Sequence, residues 1–508
     1  MLNDLFMGFY SCFQAGNFLA LVGGTVAGII AGAIPGLDCS VATALLITLT
    51  YKMTPSEAFV FLAGIYCGGV YGGQIPAILF RVPGASEAVM TTLDGYPMAQ
   101  KGEAGKALGV GLLSSLLGGL FSVMILILLA PPLANLALEF GPAEYFGLAV
   151  LGLTCISSLG TKSQIKAIIS GLLGLLLATV GLDQITGMQR FTFGTRMLQG
   201  GINFIPAVIG LFAAAEVYNQ ISLKRYEMGA FEEIQKSKKV KVRLPRLSEL
   251  WPLKWSMLRS AVLGTWIGIL PGVGATTAAI VGYAQAVRFS KHPERFGTGI
   301  IEGVAAPETA NNAATGGAMV PLLALGIPGS ATTAIMIGAF YLHGLQVGPM
   351  FLQQNKPLAY TIFAGMALAN VIFFILGFFA IKAFAKVLTI RYPYLAANIL
   401  AFCAVGAAAM GDLYGMKMMF IFAILGFLME KYGYPVAPMV LGLVLGPIAE
   451  PALRRALLIA DYDVWLVLTR PITAFFLILS VVSLLAPILR DLSPRRKKPR
   501  PMASGGRE

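Results

Sequence analysis

The sequence predicts an all-α polytopic membrane protein. It has about ten to twelve transmembrane helices, some of them broken or re-entrant, in two inverted structural repeats. Three observations predict this. Hydrophobic residues fill 57% of the 508 positions and charged residues only 12%, about half the charge of a soluble domain. Apolar runs recur almost end to end, at 112–130, 202–215, 360–380 and 465–487, and most cover the ~20 helical residues a bilayer needs. Pro-Gly pairs break such runs in an order that occurs twice. The apolar residues do not alternate, which excludes a β-barrel.

The opening MLNDLFMGFY carries Asp4 and lacks a basic leader, so it is not read as a cleavable signal peptide. The first membrane repeat is placed at 1–218. Within it, 24–36 reads GTVAGIIAGAIPG and 71–86 reads YGGQIPAILFRVPGAS. A basic linker follows at 219–257, and a second basic block, RRKKPR, closes the tail assigned to 491–508. Much of the net charge of +13 lies in these two blocks. Basic segments beside membrane spans follow the positive-inside rule. Linker and tail are therefore expected in the cytoplasm, and the basic runs are read as juxtamembrane rather than as a nucleic-acid surface. Trp251 and Trp255 are expected at the headgroup level.

The second membrane repeat is placed at 258–490. Its 264–272, GTWIGILPG, answers 24–36, which is longer by about one helical turn. Its 315–330, TGGAMVPLLALGIPGS, answers 71–86. The order Gly-Thr, Pro-Gly, Gly-Gly, Pro-Gly is shared, which points to an internal duplication. Residues 260–287 are too few for two full spans, yet basic residues flank both ends, Arg259 before and Arg288, Lys291 and Arg295 after. A re-entrant hairpin turning near Pro271-Gly272 is expected; the alternative is one long tilted helix with Arg288 outside.

A break inside the membrane frees backbone N–H and C=O groups. Lipid does not tolerate them, whereas a cavity holding a ligand does. Repeated Gly/Pro-interrupted segments point to a secondary transporter's binding site. The glycines of the breaks (Gly36, Gly84, Gly272, Gly329) and the hydroxyl residues after them (Ser40, Ser86, Thr276, Ser330, Thr332) are candidates for substrate contact. Helix starts and hydroxyls together form a receptor for carboxylate oxygens, and capping by the same hydroxyls is compatible with this. Arg81 precedes a break. It pairs with a substrate carboxylate, with Asp38 or Asp94, or snorkels. Asp38 either helps hold a cation or caps a helix.

The run EGVAAPETANNAATGG at 302–317 is the densest polar stretch of the second half. Intramembrane acids are costly and usually functional. Glu308, Asn311, Asn312 and Thr315 are candidates, with Asp38, for binding Na⁺ or H⁺. The alternative is a solvated loop with a helix start at Pro307-Glu308. Cys12, Cys39, Cys67, Cys155 and Cys403 are scattered without metal spacing and read as free buried thiols. His292 and His343 form no ligand cluster.

At these motifs the sequence resembles the large, TctA-like permease subunit of the tripartite tricarboxylate transporters. The resemblance rests on GAIPGL, YCGGVYGGQIPAIL with VPG, TTLDGYPMAQKGEAGKALG, GILPGVGATTA, RFGTGIIEGVAAPETANNAATGGAMVPLLALGIPGS and HGLQVGPM. It covers most of 24–110 and 260–350. It implies carboxylate uptake across the bacterial inner membrane, a periplasmic solute-binding protein, a small TctB-like membrane subunit, and drive by a cation gradient rather than ATP. No P-loop is found and no cofactor is expected. Asp38, Gln74 and Arg81 depart from the family pattern, which widens the expected cargo from tricarboxylates to related organic carboxylates. Cation coupling has a physical basis. A trivalent anion entering a cell at 100 mV, negative inside, faces ~7 kcal/mol. A membrane enzyme would need clustered acids or a nucleophile–base pair, which are missing. The remaining alternative is a carboxylate carrier or channel that needs no binding protein.

Overall fold

The computed structural model describes residues 1–158, 163–222, 241–387 and 392–492. The tail beyond 492 and linker residues 223–240, both expected in the cytoplasm, lie outside the described residues. The fold is helical. Among the described residues the sheet content is one two-residue antiparallel ladder, β1 (Gly181–Leu182) with β2 (Gln189–Arg190).

The first half opens with α1 (Leu2–Cys12) and α2 (Ala15–Ala33). α2 stops because Pro35 holds Ile34 extended, at ψ 118°, and Gly36 takes φ 90°, a region open to glycine. α3 (Cys39–Leu46) restarts under a cap from Asp38 and runs on as a 3₁₀ turn to Lys52. α4 (Pro55–Gly72) begins with a Thr54–Glu57 capping box. α5 (Gln74–Phe80) extends it and ends at Arg81 in the left-handed conformation. Then come α6 (Thr91–Gln100), α7 (Ala104–Ala137), α8 (Pro142–Ser158), α9 (Gln164–Ala178) and, after the ladder, α10 (Phe204–Ser222). α10 therefore runs to Ser222 rather than stopping at 218.

The second half opens at Lys254. α11 (Lys254–Ile269) and α12 (Gly274–Phe289) flank Pro271-Gly272, where Gly272 and Gly274 have φ 73° and 70°. They form the expected hairpin. Arg259 Nε donates to Gln285 Oε1 at 3.0 Å, and its guanidinium lies 4.7 Å from the Phe289 ring, so both ends meet at one face. α13 (Ile301–Leu325) is one continuous helix through the whole polar run, buried from Gly303 to Ala324. The solvated-loop alternative is thus overturned: the polar side chains find partners on neighbouring helices, so the helix need not unwind. α14 (Ala331–Leu342) starts under Ser330, and α15 (Pro349–Gln354), α16 (Lys356–Val387), α17 (Tyr392–Lys431), α18 (Val436–Ile459), α19 (Val464–Leu468) and α20 (Pro471–Leu492) complete the chain.

Eight helical segments of the described residues are long and apolar enough to cross a membrane, α17 supplying two of them, Pro393–Met410 and Leu413–Lys431. α3, α9, α14 and α20 add shorter apolar helices. The five cysteines are buried thiols outside any disulfide. Trp251 and Trp255 are both exposed, with the Lys254 ammonium 3.8 Å from the Trp251 ring.

The two halves interlock. α2 lies along α4 through Gly24 on Phe61, Gly28 on Ile65 and Gly32 on Gly69; α11 lies along α13 through Gly264 on Ala310 and Gly268 on Ala314. Each central helix then packs on the other half. α13 runs parallel to α7, with Gly118 against Thr309 and Ser122 against Gly316. α4 runs parallel to α16, with Val60 against Gly365 and Tyr71 against Gly377. α7 and α16 cross in opposite directions, Gly119 meeting Asn370 while Leu112 meets Gly377. The α11–α12 hairpin therefore opens toward a basic face, where Arg243 N–H donates to the Gly105 carbonyl and Lys106 pairs with Glu249 at 2.8 Å. The α2–α3 pair opens toward the far face, where Phe59 stacks near His343 and Lys356 pairs with Asp4 at 2.9 Å.

Candidate functional site

All four Pro-Gly breaks meet at one place. Gly36 N–H donates to the Gly84 carbonyl at 3.3 Å, joining the two first-half breaks. In the second half, Gly329 lies against the Gly268 carbonyl and Ala318, just as Gly84 lies against the Gly32 carbonyl. Any side chain at Gly84 or Gly329 would collide with backbone there. Three hydrogen bonds at the junction cross between halves. Ser86 Oγ and Thr276 Oγ1 are 2.9 Å apart, and Cys39 Sγ and Thr332 Oγ1 are 3.2 Å apart. Tyr66 OH lies 3.1 Å from Ser330 Oγ. Thus Gly36, Ser40, Gly84, Ser86, Gly272, Thr276, Gly329, Ser330 and Thr332 belong to one junction. Ser86 is exposed, and Asp38 and Thr276 are partly so, which leaves the junction open on one flank.

The local chemistry follows from the caps. Asp38 Oδ1 accepts the N–H groups of Ser40 and Val41, both at 3.0 Å, and the Ser40 hydroxyl at 2.5 Å. Ser330 Oγ accepts Thr333 N–H at 3.2 Å and Thr333 Oγ1 accepts Ser330 N–H at 2.8 Å. Three helices, α3, α12 and α14, begin at the junction and direct the positive ends of their dipoles at it, with the first N–H groups of α3 and α14 capped by side chains. Capping accounts for part of what these hydroxyls do.

The side of α13 that faces α6 and α7 carries a second polar group, connected to the first. Glu308 is fully buried. Thr91 Oγ1 donates to its Oε1 at 2.5 Å; Ser115 Oγ and Asn311 Nδ2 donate to its Oε2 at 3.2 and 3.4 Å. Asn312 Nδ2 donates to Asn311 Oδ1 at 2.8 Å, and the Thr315 hydroxyl turns back to the Asn312 carbonyl at 2.7 Å. No lysine or arginine among the described residues pairs with Glu308. Several buried oxygens of the surrounding helices lack a hydrogen-bond partner: Asn312 Oδ1, Gln74 Oε1, Asn370 Oδ1 and Ser114 Oγ. An oxygen-rich pocket without a fixed counter-charge suits a proton on the acid or a hard cation.

Two expectations change. Arg81 pairs with neither Asp38 nor Asp94. Its side chain is exposed, and its guanidinium stands 6.0 Å from the Tyr96 ring. Asp94 is already committed: fully buried, it accepts the N–H groups of Gly297, Gly299 and Ile300 at 2.8–3.1 Å and the Tyr283 hydroxyl at 2.9 Å. Asp38, grouped with the cation candidates, sits on the α3 cap and not beside Glu308.

Glu87 was missed by sequence reasoning, and it connects the two groups. It is buried; Cys39 Sγ donates to its Oε1 at 3.3 Å, and its own carbonyl accepts Asn311 Nδ2 at 3.2 Å. Polar contacts thus run from Cys39 through Glu87 and Asn311 to Glu308, with Asp38 adjoining at the cap of the same helix as Cys39. The signal available was an acid directly following Pro-Gly-Ala-Ser. Tyr66, Ser115 and Asn370 were also missed as site residues, because the partner that ties each to the site lies far away in sequence, whereas Gln74 stands out in the sequence only as a departure from the family pattern.

A junction of broken helices inside a bundle with eight helical segments long and apolar enough to cross a membrane marks a multi-pass membrane protein. Sequence comparison names the family. The profile of the tripartite tricarboxylate transporter TctA family matches residues 18–441. The chain is 37% identical over 506 residues to an uncharacterised 52.8 kDa protein in the TAR-I ttuC′ 3′ region of Agrobacterium vitis, covering 98% of both. It is 37% identical over 234 residues to an uncharacterised protein in the TAR-II ttuC′ 3′ region of the same organism, which covers 46% of this chain and 97% of that protein. The chain belongs to the TctA family, the large membrane subunits of tripartite tricarboxylate transporters.

Proposed function

We propose that this chain is the large subunit of a binding-protein-dependent, cation-gradient-driven secondary transporter that imports tricarboxylates or related organic carboxylates. The observation that carries the reading is the meeting of the four breaks, two from each half, with hydroxyls and helix starts at one point. Carboxylate oxygens suit that point. The chain of polar contacts to Glu308 offers the coupling route, with Na⁺ or H⁺ held by Glu308, Asn311 and Asn312. The opposed directions of α7 and α16, and the exchanged packing of α4 and α13, support two inverted repeats that rock or slide to alternate access. The basic face, with its lysines and arginines, is read as cytoplasmic, in a bacterial inner membrane. The partners are a periplasmic solute-binding protein and a small TctB-like membrane subunit.

The test is uptake of labelled citrate and other carboxylates into proteoliposomes holding this chain, the small subunit and the binding protein. Uptake should follow an imposed Na⁺ or proton gradient and stop when the binding protein is left out. Indifference to both gradients with every carboxylate would sink the coupling claim. Undiminished uptake without the binding protein would favour a self-sufficient carrier or channel.

A further inference from the structure

A separate polar cluster lies on the far face. It lines a cavity of about 660 Å³ between α9, the β1–β2 ladder, α18 and the loop before α15. Leu325 and Gly326, which precede the fourth break, form part of its wall. Four charged residues share that wall: Asp183, Arg190, Glu450 and Arg454. Arg190 Nη1 and Nη2 donate to the two oxygens of Glu450 at 2.5 and 3.2 Å. Arg454 bonds Asp183 and stands 3.5 Å from Glu450.

The two acids are not equivalent. Asp183 is buried and also accepts the N–H groups of Ile185 and Thr186, both at 2.8 Å, so it is built into its own loop. Glu450 is about one-third exposed, and among the described residues the two arginines are its partners. The Nε–H of Arg190 is buried with no partner. A guanidinium fork binds any carboxylate in the same two-point geometry. A diffusible carboxylate reaching this cavity meets a fork filled by a side chain that can be replaced.

We propose that this cavity is a second carboxylate-binding site, in which Glu450 occupies the Arg190 fork until a di- or tricarboxylate displaces it. Solute is thereby held on the far face before it reaches the junction. A second carboxyl group on the solute engages Arg454, so monocarboxylates bind more weakly. This inference rests on the carboxylate-transport reading.

The test uses purified full-length protein titrated calorimetrically with citrate, succinate and acetate. Glu450→Gln should tighten citrate binding about tenfold, because displacement no longer breaks an ion pair, while Arg190→Gln should weaken it about tenfold. Weakening by both variants would make the cluster a strut and overturn the proposal. In wild-type protein, citrate should slow phenylglyoxal modification of Arg190 and Arg454 several-fold, read by mass spectrometry. Unchanged modification overturns the proposal without any variant having to fold. Cavity binding and protection without gradient-driven uptake would support this site and count against the transport reading; gradient-driven uptake with neither cavity readout would do the reverse.

Discussion

Glu308 lies within a helix buried over 22 consecutive residues, Gly303 to Ala324, and its neighbours offer hydroxyls and an amide but no cation. An isolated buried carboxylate is too costly to persist as a bare anion. Glu308→Gln keeps the shape and removes the charge. We expect normal insertion, gradient-driven uptake reduced at least about tenfold, and carboxylate exchange across the membrane retained; filter uptake with and without an imposed gradient checks this. Asp183 gives a different pH prediction. Its carboxyl is held well below the ordinary carboxylate range, first by the Thr186 N–H and also by Arg454. A depressed folded value contributes stability above the unfolded pKa of ~3.9, lost as pH falls through the folded value. The Tm deficit of Asp183→Asn should therefore be constant from pH 5 to 8 and shrink only in strong acid, as scanning calorimetry would register. At this scale the sequence was half legible. Pro-Gly pairs and the Asn-Asn run announce themselves locally. Glu87, Tyr66 and Gln74 do not, since what makes each one matter is a partner hundreds of residues away or a missing partner. For Arg81 the sequence left several partners open, because the direction of a side chain at a left-handed helix end is not written in its neighbours.

At the scale of elements, helix breaks and hairpins were readable because proline and glycine act on the backbone nearest them. The hairpin of α11 and α12 followed from its length and its flanking basic residues. The continuity of α13 through Asn311 and Asn312 did not, because it depends on hydroxyls offered by α6 and α7. Two predictions belong here. Asp94 fastens the loop at 297–300, on the second half, to α6, on the first. In Asp94→Asn the charge that those N–H groups address is gone, and deuterium exchange at Gly297, Gly299 and Ile300 should quicken by at least about tenfold. Unchanged exchange would show the fastening to be redundant. Gly329→Ala would place a methyl carbon against the Gly268 carbonyl. Such overpacking costs about 1–3 kcal/mol, visible as a lowered Tm in detergent without loss of the fold.

For the molecule as a whole, the paired order of the breaks was visible in the sequence, but the packing of each central helix on the other half was not, because the order of segments says nothing about which helix each one packs on. Alternating access requires the cross-half contacts to part. Ser86 and Thr276 sit on opposite sides of the junction, with hydroxyls 2.9 Å apart. In the double variant Ser86→Cys, Thr276→Cys, oxidation should halt uptake and a reductant should restore it, while each single variant ignores the oxidant. Full uptake by the oxidised, cross-linked protein would mean that this pair does not separate during transport.

The exchange of α4 and α13 between halves also bears on how the chain is made. While the N-terminal half is alone in the bilayer, α7 has not met α13, and α4 has not met α16. Ser115 and Tyr71 then lack their partners, Glu308 and Phe373, until the later helices emerge. Glu308 in turn enters a membrane where Thr91 and Ser115 already wait. Maturation is therefore ordered: the early half is an unfinished receptacle, and the late half can shelter its acid only by docking into it. Either piece synthesised alone should be a substrate for membrane proteolysis, and the two synthesised together should rescue each other.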